Sequence, residues 1–341
     1  MVRTYFRAGA VTALLMSGTA LAHAESLTMY CGADEAWCQQ MARGFEAETG
    51  ITVDMTRKSA GEVYAQVKAE ADNPKGDIWW AGTGDPHLQA AEEGLTEEYT
   101  SPMMGELQDW AVRQAEPGQH RTVGIYSGAL GFGYNKDLLA KNNLPEPKCW
   151  ADLTKPEYKG QIQIANPNSS GTAYTMLATM VQIFGEEKGF EYMKALHKNI
   201  NQYTKSGSAP IKAAGLGETT IGIVFMHDAV AQTVAGFPIV SVAPCEGTGY
   251  EIGSMSIIKG ARHLDAAKKF YDWALRADVQ SKAQDVKSFQ LPSNKAAKQS
   301  PAAPDLSTIK LIAYDFKKYG SSEERKRLLK KWDDEVASLP Q

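Results

Sequence analysis

The sequence predicts an α/β protein with two doubly wound lobes that are joined by two extended crossings. Short apolar segments of strand character alternate with helical segments, which is the rhythm of a parallel sheet covered by helices on both faces. This rhythm occurs twice, before and after an extended glycine-rich stretch at 129–135. The chain of 341 residues also exceeds the roughly 250–300 residues at which a single hydrophobic core stops growing.

The first 24 residues have the features of a secretory signal peptide. Arg3 and Arg7 precede an apolar run from Ala8 to Ala22, and Ala22-His23-Ala24 supplies the small-x-small pattern that a signal peptidase cleaves. We therefore expect residues 1–24 to be removed and the mature protein to be soluble in the periplasm. Loss of the two arginines makes the mature chain two charges more negative than the −4 of the whole sequence. This mild acidity argues against nucleic acid or an anionic membrane as a partner.

Three strands open the first lobe, and each is followed by a turn that contains glycine. The strands are predicted at 26–30, 51–55 and 76–82, with one helix ending at Thr49-Gly50 and another running over 58–71. The second lobe repeats this pattern with strands at 162–165, 219–225 and 238–242 and a helix at 173–184. The crossings are predicted at 129–135 and 249–253. Residues 25–128 would form the first part of lobe 1, 129–252 lobe 2, and 253–341 the return to lobe 1 with the C-terminal helices.

The four cysteines predict two disulfides in an oxidising compartment. Cys31 and Cys38 are seven residues apart across a predicted turn, which suits a local bridge, and Cys149 would then pair with Cys245. Sequence alone allows three pairings of four cysteines. A zinc site is the weaker alternative because neither spacing matches a zinc knuckle and the histidines are scattered. We predict no metal and no cofactor.

Two loops that precede helices carry the residues suited to an anion. Ser169, Ser170, Gly171 and Thr172 lie between a strand and a helix, where unpaired amides and the positive end of the helix dipole favour phosphate. Ser59 occupies a similar place on the other lobe, beside either Arg57 or Lys58 as the cation. Thr83 is a further candidate donor in the glycine turn after the third strand. The alternative for each hydroxyl is a helix N-cap, a position that Ser and Thr favour generally.

Five segments of the chain occur in the same order and at similar spacing in a known group of proteins. They are Gly76-Asp77-Ile78-Trp79-Trp80, Gly131-Phe132-Gly133-Tyr134-Asn135-Lys136, Trp150-Ala151-Asp152-Leu153, Lys159-Gly160-Gln161-Ile162 and Ser170-Gly171-Thr172-Ala173-Tyr174. On these segments the chain resembles periplasmic solute-binding proteins of ABC importers, in the branch that includes ferric-ion-binding proteins. The resemblance covers residues 25–335. It implies a bilobal type II periplasmic-binding-protein fold and a monomeric receptor that hands its solute to a membrane permease without catalysis.

Within that branch the ligand varies, and the residues after the strand at 221–225 bear on it. Ferric-binding members carry two adjacent tyrosines there, whereas this chain has Met226-His227-Asp228. His227 and Asp228 resemble the sugar-gripping position of the hexose-phosphate-binding members, which also use an acid that matches Glu251. Carboxylates accept hydrogen bonds from neighbouring hydroxyls, and a neutral His can donate or accept. The resemblance therefore implies a receptor for a small phosphorylated solute, most simply a sugar phosphate.

Two other functions compete with a sugar-phosphate receptor. A receptor of the same fold for ferric ion or a phosphonate is the first, although His227 and Asp228 are a poor substitute for the phenolates that ferric iron prefers. An exported hydrolase is the second, but the sequence contains neither a Gly-x-Ser-x-Gly nor a His-Glu-x-x-His motif. We expect the protein not to be an enzyme.

Overall fold

The computed structural model of the protein describes Met1 and residues 25–340, so the predicted signal peptide lies outside the described residues. The strands are β1 (Ser26–Cys31), β2 (Thr52–Arg57), β3 (Ile78–Thr83), β4 (Val123–Asn135), β5 (Ile162–Ala165), β6 (Ile200–Thr204), β7 (Ile221–Phe225), β8 (Ile239–Val242), β9 (Tyr250–Ile257) and β10 (Leu291–Pro292). Eight of them follow the hydrogen-bonded order β2-β1-β3-β9-β4-β7-β5-β6, and β8 and β10 both pair with β4.

Each lobe contains one group of parallel strands of this sheet. In the first lobe β1 pairs in parallel with β2 and β3, and in the second β5 pairs in parallel with β6 and β7. The long strand β4 joins them, because residues 123–129 pair with β9 and residues 130–134 pair with β7. The glycine-rich stretch predicted as a crossing is therefore the second half of one continuous, fully buried strand.

The helices cover both faces of the two sheet regions. They are α1 (Glu35–Thr49), α2 (Ala60–Ala69), α3 (Gly84–Glu92), α4 (Asp109–Ala115), α5 (Lys136–Lys141), α6 (Gly171–Phe184), α7 (Glu186–His197), α8 (Ala209–Leu216), α9 (Met226–Val234), α10 (Leu264–Ala274), α11 (Ala277–Gln280), α12 (Phe316–Tyr319) and α13 (Ser322–Trp332). In the part of the chain that the structure describes, none of these helices is both long and apolar enough to cross a bilayer.

Each lobe has its own hydrophobic core. Phe45, Trp80 and Phe270 belong to the first, and Trp150 and Phe225 belong to the second. The first core also contains residues of α10 and α11, which follow β9 in the chain. Phe225 belongs to the second core and also lies at the cleft between the lobes.

The C-terminal end departs from a simple return to the first lobe. Tyr314, Leu328 and Trp332 pack into the core of the second lobe, together with Val336 in the turn that follows α13. Leu328 and Trp332 thus join α13 to the second lobe, while Arg325 on the same helix donates through Nε to Oε1 of Gln89 in α3 of the first lobe. The segment 253–341 is thus divided between the two cores.

The two predicted disulfides are present in the structure. Cys31 pairs with Cys38 between β1 and α1, and Cys149 pairs with Cys245 across 96 residues of the second lobe. Among the described residues, one group of three potential metal ligands lies close together, and it consists of Cys149, Cys245 and Glu246. Because both sulfurs are in a disulfide, they are not available as the thiolates that a metal would need.

Candidate functional site

The cleft between the lobes contains a cavity on which the N-termini of six helices converge. The residues that immediately precede these helices all line the cavity: Asp34, Ser59, Thr83, Ser170, Ser208 and Phe225. The first amides of each helix have no partner within the helix, and the helix dipole is positive there. The cavity leaves about 60 Å³ for the centres of water-sized atoms, several times the roughly 10–15 Å³ that one water requires.

Two hydroxyls in this cavity are unsatisfied. Oγ of Ser59 and Oγ1 of Thr83 are buried, and neither has a hydrogen-bond partner among the described residues, although Ser59 and Glu62 have the arrangement of a capping box at the start of α2. Neither Thr83 nor Ser170 uses its side chain to cap the helix that follows it. A buried polar group without a partner costs roughly 1–3 kcal/mol. The N-cap alternative therefore does not hold for Thr83 and Ser170, and their hydroxyls are free to bind a ligand.

The loop at 169–172 faces the cavity with three of its four predicted residues. Ser170, Gly171 and Thr172 line the cavity. A Cβ atom at position 171 would lie 1.8 Å from Oγ1 of Thr83, so Gly171 lets the two lobes approach each other closely. In the same way, a Cβ atom at Gly207 would lie 2.1 Å from Oγ1 of Thr172. Glycine at both positions leaves the hydroxyls exposed to the cavity.

The structure places Ser169 outside the cavity wall. Its hydroxyl lies 3.2 Å and 3.1 Å from the carbonyl oxygens of Asn166 and Lys205. Its own carbonyl accepts a hydrogen bond of 3.0 Å from the amide of Gly61 across the cleft. The hydroxyl of Ser169 thus bonds within its own lobe and stabilises the loop. Its carbonyl links the two lobes across the cleft.

Arg57 rather than Lys58 reaches the cavity. Arg57 donates through Nε to the carbonyl of Ala33 at 3.0 Å and through Nη2 to Oγ of Ser206 at 3.1 Å. It therefore bridges the lobes with a fixed positive charge in the cavity wall. The ammonium of Lys58 instead bonds Gln66 of its own lobe. Of the two cations that the sequence left open, Arg57 is the one that lines the cavity.

His227, Asp228 and Glu251 form a cluster in the same cavity, in which His227 and Glu251 are buried and Asp228 is partly exposed. Nε2 of His227 lies 3.7 Å from Oδ1 of Asp228 and 3.7 Å from Oε1 of Glu251. Nδ1 of His227 is buried with no hydrogen-bond partner in the described part of the chain, and it faces Gly128, where a Cβ atom would lie 2.4 Å away. Distances of 3.7 Å are too long for direct hydrogen bonds, so all three side chains have bonding capacity left for a ligand.

Burial controls the protonation of this cluster. It lowers the pKa of His227 to about 4, although Asp34 acts in the opposite direction. It raises the pKa of Asp228 well above the ordinary value, and nearby Asp34 adds to that shift. Burial also raises the pKa of Glu251, with the charges of Asp228 and Asp85 adding to it. The site without ligand therefore favours the uncharged forms of all three groups, in which a carboxyl can donate as well as accept.

Most of the chain matches one known protein family. The family described as bacterial extracellular solute-binding protein matches residues 73–318, which is well over half of the chain. The chain belongs to this family. As an extracellular solute-binding protein, it has the type II periplasmic-binding-protein fold that the sequence predicted, and the family consists of binding proteins.

Solved structures and curated relatives agree with this assignment. AfuA of Actinobacillus pleuropneumoniae, solved with exogenous fructose-6-phosphate bound, is 46% identical with a TM-score of 0.89, covering 92% of this chain and 99% of AfuA. An uncharacterised protein of Haemophilus influenzae is 46% identical over 95% of this chain and 96% of its own length. Iron-bound HitA of Pseudomonas aeruginosa is 19% identical with a TM-score of 0.75, covering 90% of this chain and 99% of HitA, which shows a shared fold only.

Sequence reasoning missed part of the site of this solute-binding protein. Asp34 accepts hydrogen bonds from Oγ of Ser208 at 2.8 Å and Nζ of Lys212 at 3.0 Å, so it closes the cleft from the first lobe to the second. Burial raises the pKa of Asp34, but Lys212, Ser208 and Arg57 outweigh that effect and hold the pKa below its ordinary value. Asp34 and Ser208 both precede helices, so the rule that found Ser59 and Ser170 could also have found them.

Proposed function

We propose that this solute-binding protein is a periplasmic receptor for a sugar phosphate, such as a hexose phosphate, which it delivers to an ABC-type permease. The observation that carries the proposal is the chemistry of the cleft cavity. It combines converging helix N-termini and unpaired hydroxyls with the side chains of His227, Asp228 and Glu251, which can bond hydroxyl groups. The first set suits a phosphate, and the second suits a polyol.

The charges around the cavity support a phosphorylated ligand. Arg57 supplies a fixed positive charge, while burial keeps His227, Asp228 and Glu251 toward their neutral forms. A sugar phosphate would place its dianion near Ser59, Thr83, Ser170, Gly171 and Thr172, and its hydroxyls near the His227 cluster. The likeness to AfuA, which was solved with fructose-6-phosphate bound, supports the same ligand class here.

Ferric ion fits the cavity less well. The tyrosine that lines it is Tyr126, whose hydroxyl accepts a hydrogen bond of 3.1 Å from the amide of Gly82. Burial, followed by the charge of Glu251, raises the pKa of Tyr126 well above its ordinary value. That shift disfavours the phenolate that ferric iron prefers. A phosphonate would suit the helix N-termini but would leave the His227 cluster without a partner.

Two substitutions test the division of the cavity into a phosphate end and a polyol end. Asp228→Ala should weaken binding of a hexose phosphate and leave inorganic phosphate nearly unchanged, because the proposal places Asp228 beside the hydroxyls of the ligand and not beside its phosphate. Thr172→Val removes a hydroxyl from the anion-binding end, so both ligands should lose affinity together. Each loss should be about 1–3 kcal/mol, or roughly ten- to a hundredfold in Kd by isothermal calorimetry.

Ser169→Ala is the matched control for Thr172→Val. It removes a hydroxyl from the same loop, but that hydroxyl faces Asn166 and Lys205 rather than the cavity. We expect the Kd of both ligands to stay within about twofold of the wild type, which corresponds to about 0.4 kcal/mol. Equal losses for hexose phosphate and inorganic phosphate in Asp228→Ala would contradict the proposed division.

A further inference from the structure

A side pocket opens beside the polyol end of the cavity. Tyr126, Ser288 and Gln290 line both the main cavity and this pocket. Behind them the pocket is walled by Trp37, Ile125 and Pro292. It leaves about 20 Å³ for the centres of water-sized atoms, which is room for one or two non-hydrogen atoms when one water needs roughly 10–15 Å³.

The strand register locates this pocket relative to the rest of the site. β10 pairs antiparallel with β4, with Leu291 opposite Ser127 and Pro292 opposite Tyr126. Continuation of that register brings Gln290 next to Gly128. A Cβ atom on Gly128 would lie 2.4 Å from Nδ1 of His227 and 3.7 Å from Oε1 of Glu251. Gln290 is therefore on the side of the cavity occupied by the polyol cluster.

The side chain of Gln290 has unused bonding capacity. Its Oε1 atom is buried and has no hydrogen-bond partner within residues 25–340. The segment that carries it turns at Lys287, which has a φ of 60° in the left-handed region that a residue with a side chain rarely adopts. Such strain persists where surrounding structure holds it, often at binding sites. The unpaired amide oxygen of Gln290 and the unpaired Nδ1 of His227 thus both lie next to Gly128.

We propose that Gln290 is a specificity-determining residue that bonds the hydroxyl of the ligand most remote from the phosphate. The side pocket behind it limits what can project there to one small substituent, such as a hydroxymethyl group. This inference rests on the proposed function. It adds a limit on the size of the ligand at the end remote from the phosphate, and it names Gln290 as the residue that binds that end. A second sugar ring at that position would not fit.

Gln290→Leu tests the assignment, since leucine has a similar size and no amide. We expect the Kd for a hexose 6-phosphate to rise roughly ten- to a hundredfold, while the Kd for inorganic phosphate stays within about twofold. Gln284→Leu is the matched control, because Gln284 lines the side pocket but not the main cavity, and it should change neither value. A disaccharide phosphate should bind wild-type protein at least a hundredfold more weakly than the hexose phosphate.

The outcomes separate this inference from the proposed function. Wild-type protein that binds the hexose phosphate tightly, together with a Gln290→Leu variant that binds it equally well, would overturn the role of Gln290 alone. Equal losses for hexose phosphate and inorganic phosphate would do the same. Tight binding of the disaccharide phosphate would overturn the size limit, and wild-type protein that binds no hexose phosphate would overturn both proposals. If Gln290→Leu does not fold, Gln290→Asn can replace it. This variant shortens the side chain by one methylene and moves the amide away from the ligand, so it should show the same selective loss of affinity for the hexose phosphate.

Discussion

Gly61→Ala is expected to weaken binding of every ligand by at least a hundredfold while leaving the fold intact. Gly61 lies in the first turn of α2, and its amide donates to the carbonyl of Ser169 across the cleft at 3.0 Å. A Cβ atom at this position would lie 2.4 Å from the carbonyl oxygen of Asn168 and 2.8 Å from that of Ser169. Both contacts are with backbone, which cannot move aside as a flexible side chain could.

The substitution should act on closure rather than on stability. Alanine is favoured over glycine inside a helix by about 0.5–1 kcal/mol, so the free energy of unfolding should stay the same or rise. The closed arrangement of the lobes, however, should no longer form. A hundredfold loss corresponds to about 2.7 kcal/mol. Calorimetry gives the affinity, and small-angle X-ray scattering reports whether ligand still contracts the molecule.

Gly44→Ala provides the control for Gly61→Ala. It makes the same change within a helix of the first lobe, and its nearest contacts would be side-chain atoms of Trp273 at 3.3 Å, away from the cleft. We expect normal binding and normal contraction on ligand addition. Wild-type affinity in Gly61→Ala, with contraction retained, would show that the close contact between Gly61 and the 168–169 loop is not part of the ligand-bound state.

Removal of the Cys149–Cys245 bridge should cost about 4–5 kcal/mol of unfolding free energy. The bridge spans 96 residues, and the chain-entropy model gives about 4.7 kcal/mol for a loop of roughly 100 residues. Cys245 is exposed and Cys149 only partly buried, so the loss of packing in a Cys149→Ser, Cys245→Ser double variant should be small. Urea unfolding under non-reducing conditions measures the change.

The Cys31–Cys38 bridge supplies the comparison. Its separation is only seven residues, so its entropic contribution should be below the roughly 3 kcal/mol expected for a 15-residue loop. Both of its cysteines are fully buried in the first core, so a double alanine variant also loses packing. A loss of less than about 2 kcal/mol on removal of Cys149–Cys245 would contradict the loop-length argument.

The predictable part of the site is the part that follows parallel strands. Ser59, Thr83 and Ser170 each lie where a parallel strand gives way to the helix that follows it, and such positions converge at the carboxyl edge of a sheet. The order of strands and helices along the chain is therefore enough to bring these three residues together. The sequence could not show that Ser169 lies outside the cavity wall while Ser170 lines it, because which hydroxyl of a loop faces the cavity depends on local turns within the loop. Sequence reasoning overlooked Asp34 although the same rule applied.

Other features depend on the path of the chain over long distances. Gln290 lies between a short helical turn and a two-residue strand, and no local pattern indicates that this segment meets Gly128. The amphipathic pattern of α13 predicts that Leu328 and Trp332 are buried, but it does not say against which lobe. These placements follow from tertiary packing. Sequence periodicity could therefore identify the buried face of α13 but not the lobe against which that face packs.

The most direct test of the proposed receptor compares one sugar with its own phosphate. Titration of the purified protein with a hexose 6-phosphate and with the parent hexose, in the same buffer, isolates the contribution of the phosphate. Charge-assisted hydrogen bonds contribute roughly 1.5–3 kcal/mol each, so the phosphate should bind at least about a hundredfold more tightly. Equal affinity for the sugar and its phosphate, or a stoichiometric coloured ferric complex that resists a mild chelator, would contradict a sugar-phosphate site.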